Sequence, residues 1–227
     1  MKVSKRANVA PFYAMEILKS ANELADGGAD IMHMEAGEPV SGTPARVLAA
    51  AHSALDDSHL GYTEAQGNPR LRARIAQHYA DMYRQEVPVE QITVTIGASG
   101  GLILAFLAAF DIGDRIALAE PSYPAYRNTL EAFGLEVVGL PTGAETRFQP
   151  SVDLLEALDR PIQGLIVASP SNPTGTMIPR QQFEALIKYC EAQDIRIISD
   201  EIYHGITYGE AAQTILAYSS TAIIANG

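Results

Sequence analysis

Two short motifs carry side chains that can form hydrogen bonds and exchange protons, and each directly follows a short apolar run. Residues 169–175 read SPSNPTG, and residues 199–203 read SDEIY. Apolar runs that break into turn residues are typical of buried parallel strands, and ligands of open α/β sheets bind just beyond the carboxyl ends of such strands. The sequence therefore predicts that the amide of Asn172, the carboxylate of Asp200 and the phenol of Tyr203 share one edge of a sheet.

A run of small residues, Gly97-Ala98-Ser99-Gly100-Gly101, precedes a predicted helix and is suited to binding an anion. Small side chains let the backbone approach an anion closely, and the free N–H groups at a helix start favour a phosphate. The spacing does not match the G-x-G-x-x-G turn of dinucleotide-binding proteins. A tight strand-to-helix turn without any ligand explains this run equally well.

Tyr123 lies in the segment EPSYP, just past another predicted strand end. An aromatic ring at such a place either stacks on a flat heterocycle or fills the core. Asp200 has a similar pair of interpretations, because a carboxylate at a buried strand end either meets a ligand or caps a nearby turn. Tyr203 either contacts the same ligand or packs in the core.

Taken together, S-x-N-P-T-G followed by S-D-E-I-Y resembles the class I/II aminotransferases, which are pyridoxal-phosphate (PLP) enzymes of fold type I. The resemblance implies that Asp200 pairs with the pyridine nitrogen of PLP and keeps it protonated, so that the ring accepts electrons. It also implies that Asn172 and Tyr203 hydrogen-bond the phenolic oxygen of PLP. Tyr123 takes the place of the aromatic residue that stacks on the ring.

The same resemblance assigns residues to the cofactor phosphate and to the substrate. Residues 97–99 match the family's phosphate loop. Tyr62, ahead of GNPRLR at residues 67–72, resembles the tyrosine of the segment Y-x-x-x-x-G-x-x-x-L-R, which reaches the neighbouring subunit's cofactor phosphate in a homodimer. Taken alone, Tyr62 is an ordinary turn aromatic. Gly37 matches the glycine beside the substrate carboxylate.

The Schiff-base lysine of the family has no counterpart in this sequence. In the family it lies in S-x-x-K or a related motif, just after the strand matched here by residues 222–225. The lysines that are present lie elsewhere: Lys2, Lys5, Lys19 and Lys188. We therefore expect a C-terminally truncated aminotransferase, in which no catalytic residue is assigned and which does not itself catalyse transamination.

For the full-length protein, the resemblance implies PLP-dependent transfer of an amino group between an amino acid and a 2-oxo acid. Two alternatives remain. One is another PLP enzyme of the same fold, such as a carbon–sulfur lyase or a decarboxylase, and the other is a non-catalytic protein built on this fold. The sequence does not identify the donor amino acid.

Strand–helix alternation from residue 92 onward predicts an α/β fold, a mainly parallel sheet with helices on both faces. The predicted strands are 92–96, 115–119, 136–140, 164–168, 196–199 and 222–225. The predicted helices between them are 102–110, 125–133, 152–158 and 180–192. Asn68 and Pro69 are suited to cap and open a further helix. This pattern fits the large domain of the PLP-transferase fold type I, incomplete because one antiparallel strand between the first and last strands is missing.

The amino-terminal part has a different pattern. Residues 1–44 are assigned to an arm and part of a small domain, and residues 45–227 to the PLP-binding large domain. Helices are predicted at 11–25 and 43–54, and a short strand at 31–35.

Composition excludes several classes of function. The net charge of −11 leaves no basic patch for nucleic acid, and no apolar run is long enough to span a membrane. The single cysteine, Cys190, indicates a reducing compartment, and we expect a cytoplasmic protein with this thiol buried in a helix. The sequence has five histidines: His33, His52, His59, His78 and His204. No two of them have metal-ligand spacing, so no metal is assigned. His204 is expected to support the site and not to catalyse.

Overall fold

The computed structural model describes residues 1–37, 41–57 and 60–227, so His59 lies outside the described residues. The chain divides into two compact units. The large unit consists of Met1–Val9 and Gln66–Gly227, and the small unit of Ala10–Ala65. The predicted domain boundary after residue 44 falls inside the small unit, and the assignment of domains stays a prediction.

The large unit is built on a parallel sheet. Its strands are β1 (Arg115–Glu120), β2 (Glu136–Pro141), β3 (Gly164–Ala168), β4 (Arg196–Asp200) and β5 (Ile223–Ala225). They lie in the order β2-β1-β3-β4-β5, and every neighbouring pair is parallel. The predicted α/β fold is confirmed, and all five carboxyl ends meet at one edge of the sheet.

Seven α-helices lie in the described residues: α1 (Tyr13–Asp26), α2 (Ala45–Asp57), α3 (Pro69–Tyr83), α4 (Gly97–Ala109), α5 (Pro124–Ala132), α6 (Val152–Glu156) and α7 (Arg180–Ala192). Short 3₁₀ turns occur at Lys5–Ala7, Val89–Gln91, Ala144–Thr146 and Ile215–Ala217. None of these helices combines the length and the apolar character needed to cross a membrane.

Helices cover both faces of the sheet because successive strand residues point to opposite sides. Ile116 and Leu118 of β1 belong to a buried cluster with residues of α4 and α5. Ala117, between them, belongs to the opposite cluster with residues of α6 and α7. Cys190 of α7 is fully buried in that second cluster, as predicted, and burial raises the pKa of its thiol to about 12.

Helix α3 begins as the sequence predicts. The Asn68 side chain accepts a hydrogen bond from the Arg70 N–H at 2.9 Å, and Pro69 occupies the first helical position. Gly67 precedes the cap with a φ of +98°, and a Cβ there would lie 2.6 Å from Cβ of Val94. Both the backbone conformation and the close approach therefore require glycine.

Two predicted strands do not form. At residues 92–96, Ile92 has an extended backbone and Val94 donates its N–H to Gln66 O at 2.9 Å, but none of the described strands pairs with the segment. Residues 31–35 form no strand either, and Met32 and Met34 are largely exposed. An apolar pattern makes a strand only where a neighbouring strand completes the hydrogen-bond ladder, and these segments have no such neighbour in the described chain.

Candidate active site

The two sequence motifs meet at the carboxyl edge of the sheet. In the parallel pairing of β3 with β4, Ala168 lies opposite Asp200. The loop that follows β3 therefore leaves the sheet beside the turn that follows β4. A small recess opens near this point, between the ends of β1 and β3, where the direction of the chain connections reverses. Ligands of doubly wound sheets bind at such a reversal.

Asn172 and Tyr203 face each other across the two loops. The Asn172 Nδ2 donates a hydrogen bond to the Tyr203 hydroxyl at 3.1 Å. The β3 loop is shaped by Gly175, whose φ is +67° and whose N–H donates to Ser171 O at 2.7 Å. Both the amide and the phenol are half-buried, so they are held in place and remain accessible to a ligand.

Asp200 is the last residue of β4 and is buried. Its Oδ2 accepts a hydrogen bond from the Tyr126 hydroxyl at 2.5 Å, and its Oδ1 accepts one from the Ile202 N–H at 3.1 Å. Burial, together with the neighbouring negative charge of Asp200, raises the pKa of Tyr126, so Tyr126 acts as a hydrogen-bond donor at neutral pH. Two donors hold this carboxylate in a fixed orientation.

Sequence reasoning missed Tyr126. It lies on α5, three residues after Tyr123, and residues three apart share a helix face. The two rings meet edge to face with centroids 5.4 Å apart. The three-residue spacing of the two tyrosines was the signal that could have identified Tyr126. If Tyr123 lies at the edge of the sheet, an aromatic residue on the same helix face lies near that edge too. Tyr123 is thereby linked to Asp200 through Tyr126.

Residues 97–99 form the first turn of α4. Gly97 has a φ of +68°, and the Thr95 hydroxyl donates to its carbonyl at 2.8 Å. The Gly97 N–H donates to Thr95 O at 2.9 Å. The N–H groups that follow it in the first turn have no partner within the helix, so they point outward together with the positive end of the helix dipole. This geometry suits an anion.

The two remaining predicted residues lie in the small unit. Tyr62 and Gly37 belong to segments without regular secondary structure, and both are exposed. Chain neighbours aside, none of the described residues has an atom within 4 Å of a Cβ built on Gly37. Their roles toward the partner's phosphate site and toward the substrate stay predictions.

Comparison with known proteins shows similarity over the whole chain. A sequence model described as aminotransferase class I and II matches residues 29–226. The valine–pyruvate aminotransferase of Mycobacterium tuberculosis is 46% identical over 99% of this chain and 58% of its own length. The aspartate aminotransferase of Geobacillus stearothermophilus is 31% identical over 96% of this chain and 56% of its own length.

Solved structures give the same result. The crystal structure of an aminotransferase from Mycobacterium tuberculosis superposes with a TM-score of 0.95 at 46% identity, and the match covers all of this chain and 59% of that one. Aspartate aminotransferase from Thermus thermophilus, solved with maleate, has a TM-score of 0.95 at 29% identity and is covered to 60%. The chain therefore spans less than two thirds of the length of these relatives.

Proposed function

The chain belongs to the class I and II aminotransferases, and we propose that the whole protein uses PLP to transfer an amino group between an amino acid and a 2-oxo acid. The observation that carries this proposal is the buried carboxylate of Asp200 at the end of β4, beside the Asn172–Tyr203 pair. The 46% identical relative is named for valine and pyruvate, so this is the first substrate pair to test.

The residues present fit PLP. Among the described residues, Asp200 accepts hydrogen bonds from Tyr126 and Ile202, whereas an ionised carboxylate has about four acceptor positions. Capacity therefore remains for a protonated ring nitrogen, which is the kind of partner that a buried carboxylate needs. PLP, when bound, supplies a ring that withdraws electrons from the reacting carbon of the substrate.

Each proposed binding residue contributes a different interaction. Asp200 holds a proton on the ring nitrogen, and the Tyr126 hydroxyl keeps the carboxylate turned toward it. The Asn172 amide and the Tyr203 hydroxyl donate hydrogen bonds to the phenolic oxygen and so favour its ionised form. The ring of Tyr123 stacks on the cofactor, and the first turn of α4 at residues 97–99 binds the phosphate, with the N–H groups of Ala98 and Ser99 as donors. Gly37 leaves room for the substrate carboxylate.

The proposal includes a cytoplasmic homodimer in which Tyr62 completes the phosphate site of the partner subunit. Helix α4 supports association, because it is apolar on all sides and leaves Ile103, Leu104 and Leu107 exposed. A helix that is apolar all round is normally buried. Sedimentation should show a dimer at micromolar concentration, and mixing Tyr62→Phe with Asp200→Ala protein should restore part of the activity. A monomer that is fully active would exclude the shared site.

The reaction is tested by incubating the whole protein with PLP, L-valine and pyruvate and measuring L-alanine by chromatography. Alanine should form only when both PLP and the 2-oxo acid are present. Asp200→Ala should keep its fold by circular dichroism and lose most of its turnover, whereas Asp81→Ala, at an exposed position on α3, should behave as wild type. Near-normal turnover by Asp200→Ala would contradict the assignment, and so would release of ammonia without any 2-oxo acid.

A further inference from the structure

A buried histidine connects the two loops that carry the proposed cofactor ligands. His204 directly follows Tyr203, and its side chain is only 4% exposed. Its Nε2 lies 3.1 Å from the carbonyl oxygen of Ser169, in the β3 loop three residues before Asn172. Its Nδ1 lies 3.0 Å from the hydroxyl of Tyr83 at the end of α3. We call this set of contacts the His204 bridge.

The partners determine which ring nitrogen carries the proton. A backbone carbonyl only accepts hydrogen bonds, so Nε2–H donates to Ser169 O. In the neutral imidazole Nδ1 is then an acceptor, and the Tyr83 hydroxyl donates to it. Burial lowers the pKa of His204 and raises the pKa of Tyr83, so the neutral imidazole and the neutral phenol are both favoured. Both hydrogen bonds of the bridge therefore form at neutral pH.

Glu201 holds the turn that carries His204. It is 1% exposed, and its Oε1 accepts hydrogen bonds from Ile215 N at 2.8 Å and from the hydroxyls of Ser199 and Thr214 at 3.2 Å each. In the described chain its Oε2 has no hydrogen-bond partner and lies 3.6 Å from Nδ1 of His204. This arrangement anchors the turn after β4 to the segment at 214–215.

We propose that His204 is a positioning residue that fixes the distance between Asn172 and Tyr203. The Asn172–Tyr203 hydrogen bond alone joins two half-buried side chains at the ends of their loops. The His204 bridge joins the same two loops a second time, deeper in the protein and through a backbone carbonyl, with Tyr83 as a third anchor on α3. The effect of the bridge on a bound PLP ring rests on the proposed function, whereas its effect on the order of the two loops does not depend on that function.

Two substitutions separate the bridge from the bulk of the side chain. His204→Gln places an amide N–H near the position of Nε2, so it keeps the bond to Ser169 O, whereas His204→Asn has an amide but is too short to reach. His52→Asn, at an exposed position on α2, is the matched control. The variants are made in the whole protein and compared without and with pyridoxine 5′-phosphate, which has the ring, phenolic oxygen and phosphate of PLP but no aldehyde.

Three measurements are expected to change together in His204→Asn. Hydrogen exchange at the amides of Ser171 and Gly175 should accelerate about five- to tenfold without ligand, the loss expected for one hydrogen bond. The affinity for pyridoxine 5′-phosphate should fall about five- to tenfold. The pH at which the bound phenolic oxygen ionises, followed by its ultraviolet band, should rise by about 0.5–1 unit, because its two donors are less well placed. His204→Gln and His52→Asn should stay within about twofold of wild type.

Unchanged exchange and affinity in His204→Asn would overturn the proposal, and so would equal losses in His204→Gln. If His204→Asn does not fold, His204→Leu replaces it, since it keeps most of the bulk but has no donor for Ser169 O: loop exchange faster than in His204→Gln supports the bridge, and wild-type exchange overturns it. If the wild type does not bind pyridoxine 5′-phosphate, the proposed function fails, and the exchange measurement alone still decides the role of His204.

Discussion

Replacing Tyr126 with phenylalanine removes one oxygen atom and with it the hydrogen bond to Asp200. The bond is 2.5 Å long, and both residues are buried, with Tyr126 only 3% exposed. A hydrogen bond to a charged group contributes about 1.5–3 kcal/mol, compared with about 0.5–1.5 kcal/mol for a neutral pair. We therefore expect Tyr126→Phe to lower the free energy of unfolding of the whole protein by about 1.5–3 kcal/mol at pH 7.

Tyr218→Phe is the matched control, because it deletes the same atom from a hydroxyl that donates to the neutral side chain of Gln213. Urea unfolding followed by circular dichroism should show a loss of only about 0.5–1.5 kcal/mol for this control. A double-mutant cycle of Tyr126→Phe with Asp200→Ala should give a coupling energy above about 1 kcal/mol. Equal losses in the two tyrosine variants, or a coupling near zero, would refute the reasoning.

Burial raises the pKa of Glu201 from 4.5 to about 7. As the pH rises, the unfolded chain therefore loses this proton before the folded protein does. The stability that Glu201 contributes is greatest below pH 4.5 and is lost toward pH 7. Urea unfolding should therefore show that wild type loses stability relative to Glu201→Gln across this pH range. A gain in the stability of wild type relative to the variant would contradict the assignment. At the exposed Glu184, whose pKa Lys188 lowers, the dependence of stability on pH has the opposite direction. Gly67→Ala should lower the free energy of unfolding by about 2–4 kcal/mol in the same assay, since its Cβ would lie 2.6 Å from Val94 at a φ of +98°. A decrease below about 0.5 kcal/mol would show that the backbone adapts to the alanine. Cys190 should react with Ellman's reagent far more slowly in native than in urea-unfolded protein, because the thiol is buried and its pKa is about 12; equal rates would show that it is accessible.

The parallel sheet could be predicted because its signals are local. Helix α7 was predicted at residues 180–192 and spans Arg180–Ala192, since its apolar spacing and the turn residues around it lie within the segment itself. Each strand from β1 to β5 is a short apolar run that is covered on both faces. Residues 92–96 have the same composition and form no strand, because pairing depends on a neighbour that no local pattern reveals.

The candidate site was predictable only where its residues lie in the motifs. The contact of Tyr126 with Asp200 joins positions 74 residues apart, and that of Tyr83 with His204 joins positions 121 residues apart. Such pairs form because α5 and α3 pack beside the ends of the strands, and the packing is decided by the whole fold. Motif spacing therefore identifies candidate cofactor ligands, whereas the residues that orient them become visible only in three dimensions.

The central claim is that Asp200 holds a proton on the ring nitrogen of PLP. It is tested most directly by nitrogen NMR of the whole protein loaded with PLP that is ¹⁵N-labelled in the ring, in wild type and in Asp200→Asn. We expect the chemical shift of a protonated pyridine nitrogen in wild type at pH 7, and a change toward that of a neutral pyridine in the variant, because the amide cannot stabilise the positive charge. A neutral ring nitrogen in wild type, or identical shifts in both proteins, would contradict the account.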